Sequence, residues 1–208
     1  MKTPAKQIIA VALGAVILGI AYFGSFLPYQ KSKSFIAALN SLGRAGTIEE
    51  IEKILAEPLA RASPIGEEEL VRNVANQLLG IVNQQNVPPE VIARALSFVN
   101  RYYAPIIERG RGMSFNQNLY VLGILHEIAF VRTGNPAYLG DAKRHFAQGL
   151  SMSPKRPQFL YGLLDVSRAE GNLEDARKIA TQILLQWKDD ESTRAVLSEI
   201  ETRLTPRK

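Results

Sequence analysis

The sequence predicts an all-α protein, a single membrane-crossing helix followed by a solenoid of helical hairpins. Three observations carry this. Residues 8–27, "IIAVALGAVILGIAYFGSFL", form an uninterrupted stretch of 20 residues without a charge. Beyond Pro28 no segment sustains the apolar–polar alternation and β-branched enrichment of a strand, and Gly, Pro and Asn cut the chain into helix-sized pieces. Two blocks near the C-terminus, 140–154 and 174–188, align with Ala142 over Ala176, an offset of 34 residues.

The 208 residues suffice for an anchor plus one domain or two small ones. Apolar content of 46% and charged content of 22% are those of a chain that packs a core. With no cysteine there is no disulfide, thiolate metal site or thiol nucleophile. A net charge of +5 and a pI near 9.5 suit an anionic surface without naming one.

A helix over 8–27 is about 30 Å long at ~1.5 Å per residue, the thickness of a hydrocarbon core. Tyr22, Phe23, Phe26 and Tyr29 supply interfacial aromatics at its far end, and Pro28 is expected to end the run in a kink. The alternative is a cleaved signal peptide with Lys2 and Lys6 as its basic region. The run is long for that, and no clean A-x-A site follows. An uncleaved anchor over 1–29 is therefore expected, contacting membrane lipid through residues 8–27. Basic residues flank both ends, so the positive-inside rule does not fix orientation. A short N-terminal tail favours the cytoplasmic side, which would place the remainder outside the cytoplasm. Ala10/Gly14 and Ala15/Gly19 are small-xxx-small pairs through which a homo-oligomer would form. Membrane helices are rich in such residues in any case.

Residues 30–112 are expected to form an irregular helical region or degenerate repeats. A helix over about 30–42 would place Phe35, Ile36, Leu39 and Leu42 on one face, until "GRAGT" breaks it. Thr47 and Glu50 make a T-x-x-E capping box for a helix over about 48–61, with Ile48, Ile51, Ile54 and Leu55 inward. Ser63-Pro64 opens the next element, with Glu67, Glu68 and Glu69 where a helix dipole favours anions and Leu70, Val74, Leu78 and Ile81 inward. "NVPPE" precedes a helix over about 89–109. "RGRGMS" precedes one over about 115–132.

Residues 113–208 contain the repeat. Phe146 aligns with Ala180, Gly149 with Ile183 and Leu150 with Leu184; Gly134-Asn135 and Gly171-Asn172 precede the two blocks. Helix, tight Gly turn and second helix at a 34-residue period form the tetratricopeptide pattern. Small residues at 142 and 176 let paired helices approach, and neighbouring pairs must stack to bury their apolar faces. Residues 190–204 read as a capping helix with Val196, Leu197, Ile200 and Leu204 inward.

This half resembles the tetratricopeptide repeat (TPR) family. More narrowly, "SPKRPQFLYGLLDVSRAEGNLEDARKIATQIL" is similar to the TPR region that follows the last membrane helix of bacterial O-antigen ligase/polymerase-type proteins. The likeness extends over about 8–190, through "PIGEEELVRNVANQL". It implies a TPR-like solenoid near cell-envelope polysaccharide assembly. Those enzymes carry many further membrane helices, with their catalytic residues in the loops between them, so their chemistry does not carry over. This chain is either a free-standing relative of that tail or a fragment.

Sites for chemistry are sparse. "HEIAF" at 126–130 begins like a zinc helix, but Phe130 occupies the second histidine's place, which leaves His126 as a packing or partly exposed residue. His145, in "KRHF", reads as part of a solvated face. No phosphate-binding, nucleophile-elbow or dinucleotide motif occurs. No enzyme activity, cofactor or metal is expected.

Two surfaces remain. The first helices of the repeats would expose Asn116, Tyr120, Gln158, Tyr161, Asp165 and Arg168 on a concave face that binds a protein or peptide. Arg132, Lys143, Arg144, Lys155 and Arg156 form a basic patch opposed by Asp141 alone, suited to anionic headgroups or an acidic glycan carrier. Nothing points to nucleic acid. The expectation is a membrane-anchored, non-catalytic scaffold, with an export-machinery chaperone or a self-assembling envelope protein as alternatives.

Overall fold

The computed structural model describes residues 3–205, so Lys2, one of the basic residues ahead of the apolar run, lies outside the described residues. Among the described residues every regular element is helical. Contacts divide the chain into two compact units, Met1–Val74 and Ala75–Lys208. The division falls earlier than the 112/113 boundary drawn from the repeat pattern, because the contacts break inside a helix that is continuous in backbone.

In the first unit, α1 (Thr3–Ala21) runs through a π-helical turn (Tyr22–Phe26) directly into α2 (Leu27–Leu42). The stretch Lys6–Leu42 is one helix of 37 residues, long and apolar enough to cross a membrane, and its apolar window is unburied. Pro28 therefore does not end the helix, contrary to expectation. The π turn explains this: the Leu27 N–H bonds Tyr22 O, five residues back, so the register is already widened where the proline ring would strike the preceding turn.

α3 (Ile48–Ala60) packs against α2. Thr47 Oγ1 accepts from the Glu50 N–H at 3.3 Å, as the capping box requires. The Glu50 carboxylate accepts from the Gly46 N–H at 2.8 Å rather than from Thr47. The buried stripe of α2 is Lys31, Ser34 and Ala38. The expected face is out of phase with it, and Ile36 is exposed. Small side chains at 34 and 38 allow close approach of α3, and Ser34 Oγ donates to Glu57 at 3.1 Å. Lys31 Nζ, itself buried, donates to the Glu67 carboxylate at the start of α4 (Glu67–Val82).

In the second unit, α5 (Pro89–Arg109) ends at Gly110, whose φ of +63° lies in the left-handed region that favours glycine. It packs on α6 (Phe115–Thr133). α6 and α7 (Pro136–Met152) form one helical hairpin; α8 (Pro157–Ala169) and α9 (Leu173–Gln186) form the next; α10 (Glu191–Leu204) closes on α9. Both hairpins turn alike. Gly134 and Gly171 are left-handed (φ +68° and +72°), and Asn135 and Asn172 cap the second helices through the N–H groups of Ala137 and Asp175. Ala142 and Ala176 are fully buried, as are Phe146, Ala180 and Ile183.

Phe146 sits where backbone must come close. A Cβ on Gly123 of α6 would lie 2.2 Å from its ring, and one on Gly162 of α8 2.6 Å from its other edge. The ring thus fills space left by two glycines on successive hairpins.

Candidate partner-binding face

The surface formed by α6, α8 and α10 collects most of the residues expected to bind. On α6, Tyr120 is half-buried, its ring 6.2 Å from Phe159 and 6.3 Å from Phe146. Asn116 donates to Ser153 Oγ, and its own side-chain oxygen is buried with no partner among the described residues. Gln158 is half-buried at the start of α8. Asp165 and Arg168 are exposed and pair with each other at 3.5 Å, and Arg168 reaches Glu199 of α10 at 3.6 Å.

Tyr161 has a different job. Its hydroxyl donates to Asp190 Oδ2 at 2.5 Å, and its ring packs against the core shared by α8, α9 and α10. Asp190 is the N-cap of α10, accepting from the Thr193 N–H at 3.0 Å and the Thr193 hydroxyl at 2.7 Å. The Tyr161 hydrogen bond, ahead of those from Thr193, holds the Asp190 carboxyl below the usual carboxylate range. Tyr161 therefore joins the α8–α9 hairpin to α10, which leaves its ring less free for a ligand.

The structure adds a residue that the sequence did not single out. Glu127, half-buried on α6, faces Asp165, and no described residue forms an ion pair with it. Burial, and then the Asp165 charge, push its carboxyl up to about 7. Partial dehydration also raises Asp165, against the pull of Arg168. Glu127 lies seven residues beyond Tyr120, on the same helix face. That spacing is the signal that would have revealed it.

With Glu127, Asp165, Asp190 and Glu199 against Arg168 and Arg203, the face is predominantly acidic. Glu127 and Asp165, crowded together and partly dehydrated, favour a cation that would neutralise them.

The five residues of the basic patch do not act together. Arg132 donates to Asn83 O and, at 3.1 Å, to Asn83 Oδ1. Lys143 pairs with Glu170 at 2.7 Å, and Arg144 with Asp141 at 2.9 Å. Lys155 borders a shallow cleft with Gln182, Gln186 and Trp187, and Arg156 is exposed at the start of α8. Glu170 lies outside the 132–156 stretch, so counting charges along that stretch does not include it.

His145 is buried rather than solvated, and His126 is buried beside it. α7 turns that side of "KRHF" onto α6. No group of three or more His, Cys, Asp or Glu side chains among the described residues could hold a metal ion. No family model, curated protein or solved structure matches this chain.

Proposed function

We propose that this protein is a membrane-anchored, non-catalytic, TPR-like scaffold that holds a basic segment of a partner protein on its α6–α8–α10 face. The observation that carries the reading is Glu127, a half-buried carboxylate beside Asp165 with no cation to neutralise it. A lysine or arginine from a bound segment meets that need, while Tyr120 supplies apolar area next to it. The two like-built hairpins, with their left-handed glycine turns and buried Ala142 and Ala176, support the TPR-like reading. The resemblance of this half to the tail of O-antigen ligase/polymerase-type proteins supports envelope polysaccharide assembly as the setting. The anchor would sit in a bacterial inner membrane with the helical domain outside the cytoplasm.

The test is in-cell crosslinking and recovery of full-length protein, comparing the wild type with a Glu127→Lys, Asp165→Lys variant of unchanged helical content. A glycan polymerase or flippase recovered with the wild type and lost with the variant supports the whole reading. The same partner recovered equally with both removes this face from function. Translocase subunits in its place would move the setting to protein export.

A further inference from the structure

We infer that the loop Arg61–Gly66 is a second membrane contact, resting in the headgroup layer beside the anchor with Ile65 directed into the bilayer surface. The inference rests on the reading of residues 8–27 as a spanning anchor and adds to it.

The geometry lies within the first unit. α3 returns alongside α2, so its end comes back to the level at which the apolar helix finishes. There Arg61 and Ala62 border a cleft of about 340 Å³ with Phe26, Leu27 and Gln30. On the next side, Ile65 and Gly66 border a cleft of about 530 Å³ with Pro28, Lys31, Ser32 and Phe35. The loop therefore sits against the anchor helix between positions 26 and 35.

That level is marked independently. Tyr22, Phe23, Phe26 and Tyr29 are exposed around the same part of the helix, the place of an interfacial aromatic belt. Ile65 is 58% exposed although the loop around it is fixed. Ser63 Oγ donates to Ile65 O at 2.8 Å, Gly66 is left-handed at φ +84°, and the Lys31–Glu67 ion pair ties the following residue to the anchor helix. An apolar side chain is thus held outward, by a structured loop, beside Pro28 and Phe35 and within about two turns of the aromatic belt.

The charged residues of the loop and its flanks are paired or acidic. Arg61 pairs with Glu57 at 2.9 Å, Lys31 with Glu67, and Glu68 and Glu69 follow at the start of α4. Anionic lipid is therefore not required, and the occupant is the interface of a neutral bilayer, entered by Ile65 and Pro64.

The chain has no cysteine, so single probes can be placed without removing one. Full-length Ile65→Cys, Val16→Cys and Asn40→Cys variants, each carrying an environment-sensitive fluorophore, would be reconstituted in phosphatidylcholine vesicles. Lipids brominated near the headgroup or near the chain end would serve as quenchers. Val16 lies inside the span, and Asn40 lies about 20 Å along the helix beyond Leu27.

The expected result is a blue-shifted probe at 65, quenched more by headgroup-side bromine. At 16 the preference is reversed, and at 40 there is no quenching. A water-like, unquenched probe at 65 with a deeply quenched probe at 16 overturns this inference and leaves the anchor standing. An unquenched probe at 16 overturns the anchor and the inference with it.

Discussion

The imidazole rings of His126 and His145 lie 5.4 Å apart between α6 and α7, both removed from solvent. The His126 Nδ1–H donates to Leu122 O at 2.8 Å, which turns Nε2 toward Asp141 Oδ2, 3.7 Å away. Tyr138 and Arg144 of α7 complete the surroundings. Burial lowers both rings' proton affinity. In His145 the neighbouring His126 and Arg144 add to it, bringing the group to about 4.

The unfolded chain protonates His145 near 6.5 and the folded one only near 4, so stability present above 6.5 is lost as pH falls toward 4. At ~1.4 kcal/mol per unit, His145 alone accounts for about 3 kcal/mol. Thermal unfolding followed by circular dichroism should show a lower midpoint at pH 5 than at pH 7. His145→Gln should flatten that dependence, and an unchanged slope would clear His145 of responsibility.

Glu127 has the opposite sign. Its folded value near 7 lies above the ordinary 4.5, so the stability it permits below 4.5 is lost as pH rises through 7. Glu127→Gln removes the charge without removing the shape. Allowing for its partial exposure, the variant should be more stable than wild type by roughly 2 kcal/mol at pH 8 and equal to it at pH 4. Paired denaturant titrations at the two pH values measure this. The same variant should bind the partner more weakly, a trade between stability and function.

The Phe146 ring turns two helical glycines into steric requirements. Gly162→Ala would place a methyl group against its edge and should cost about 1–3 kcal/mol. Gly140, on the open side of α7, meets nothing within 4 Å of an added Cβ, so Gly140→Ala should add about 0.5–1 kcal/mol. Equal effects from the two substitutions would contradict the packing described.

Asp190 joins α8 to α10 as both acceptor and cap. Asp190→Ala should cost about 1–2 kcal/mol and raise amide exchange in the first turn of α10. Tyr161→Phe, which keeps the ring and removes only the hydroxyl, should cost about 1 kcal/mol. Hydrogen exchange resolved by mass spectrometry separates the local effect from a global one.

Much of the helix layout was legible because local chemistry encoded it. Thr47, Pro89 and the Gly134-Asn135 and Gly171-Asn172 pairs each act on their own helix end, with partners only a few residues away. What was illegible depended on distant partners. The α2 face is set by α3 and by Glu67, neither visible in the phase of Phe35 and Ile36. The passage through Pro28 depends on a backbone register that composition does not signal. On the candidate face, periodicity found Tyr120 and Asp165. In the apparent basic patch Glu170 is brought to Lys143 and neutralises it, while Asn83 holds Arg132 without cancelling its charge. Charge counted along a chain does not report which charges meet.

The unbroken helix from Lys6 to Leu42 makes the first unit a lever. With residues 8–27 in the bilayer as proposed, about 15 residues extend past it, an arm of ~22 Å. Membrane helices tilt by ~20° on average, more when the bilayer thins, and such a tilt swings the arm's end sideways by ~8 Å. Because α3 is packed along that arm, it must follow. Local bilayer thickness would thereby set the posture of the parts nearest the membrane, a mechanical input that a flexible linker would have erased.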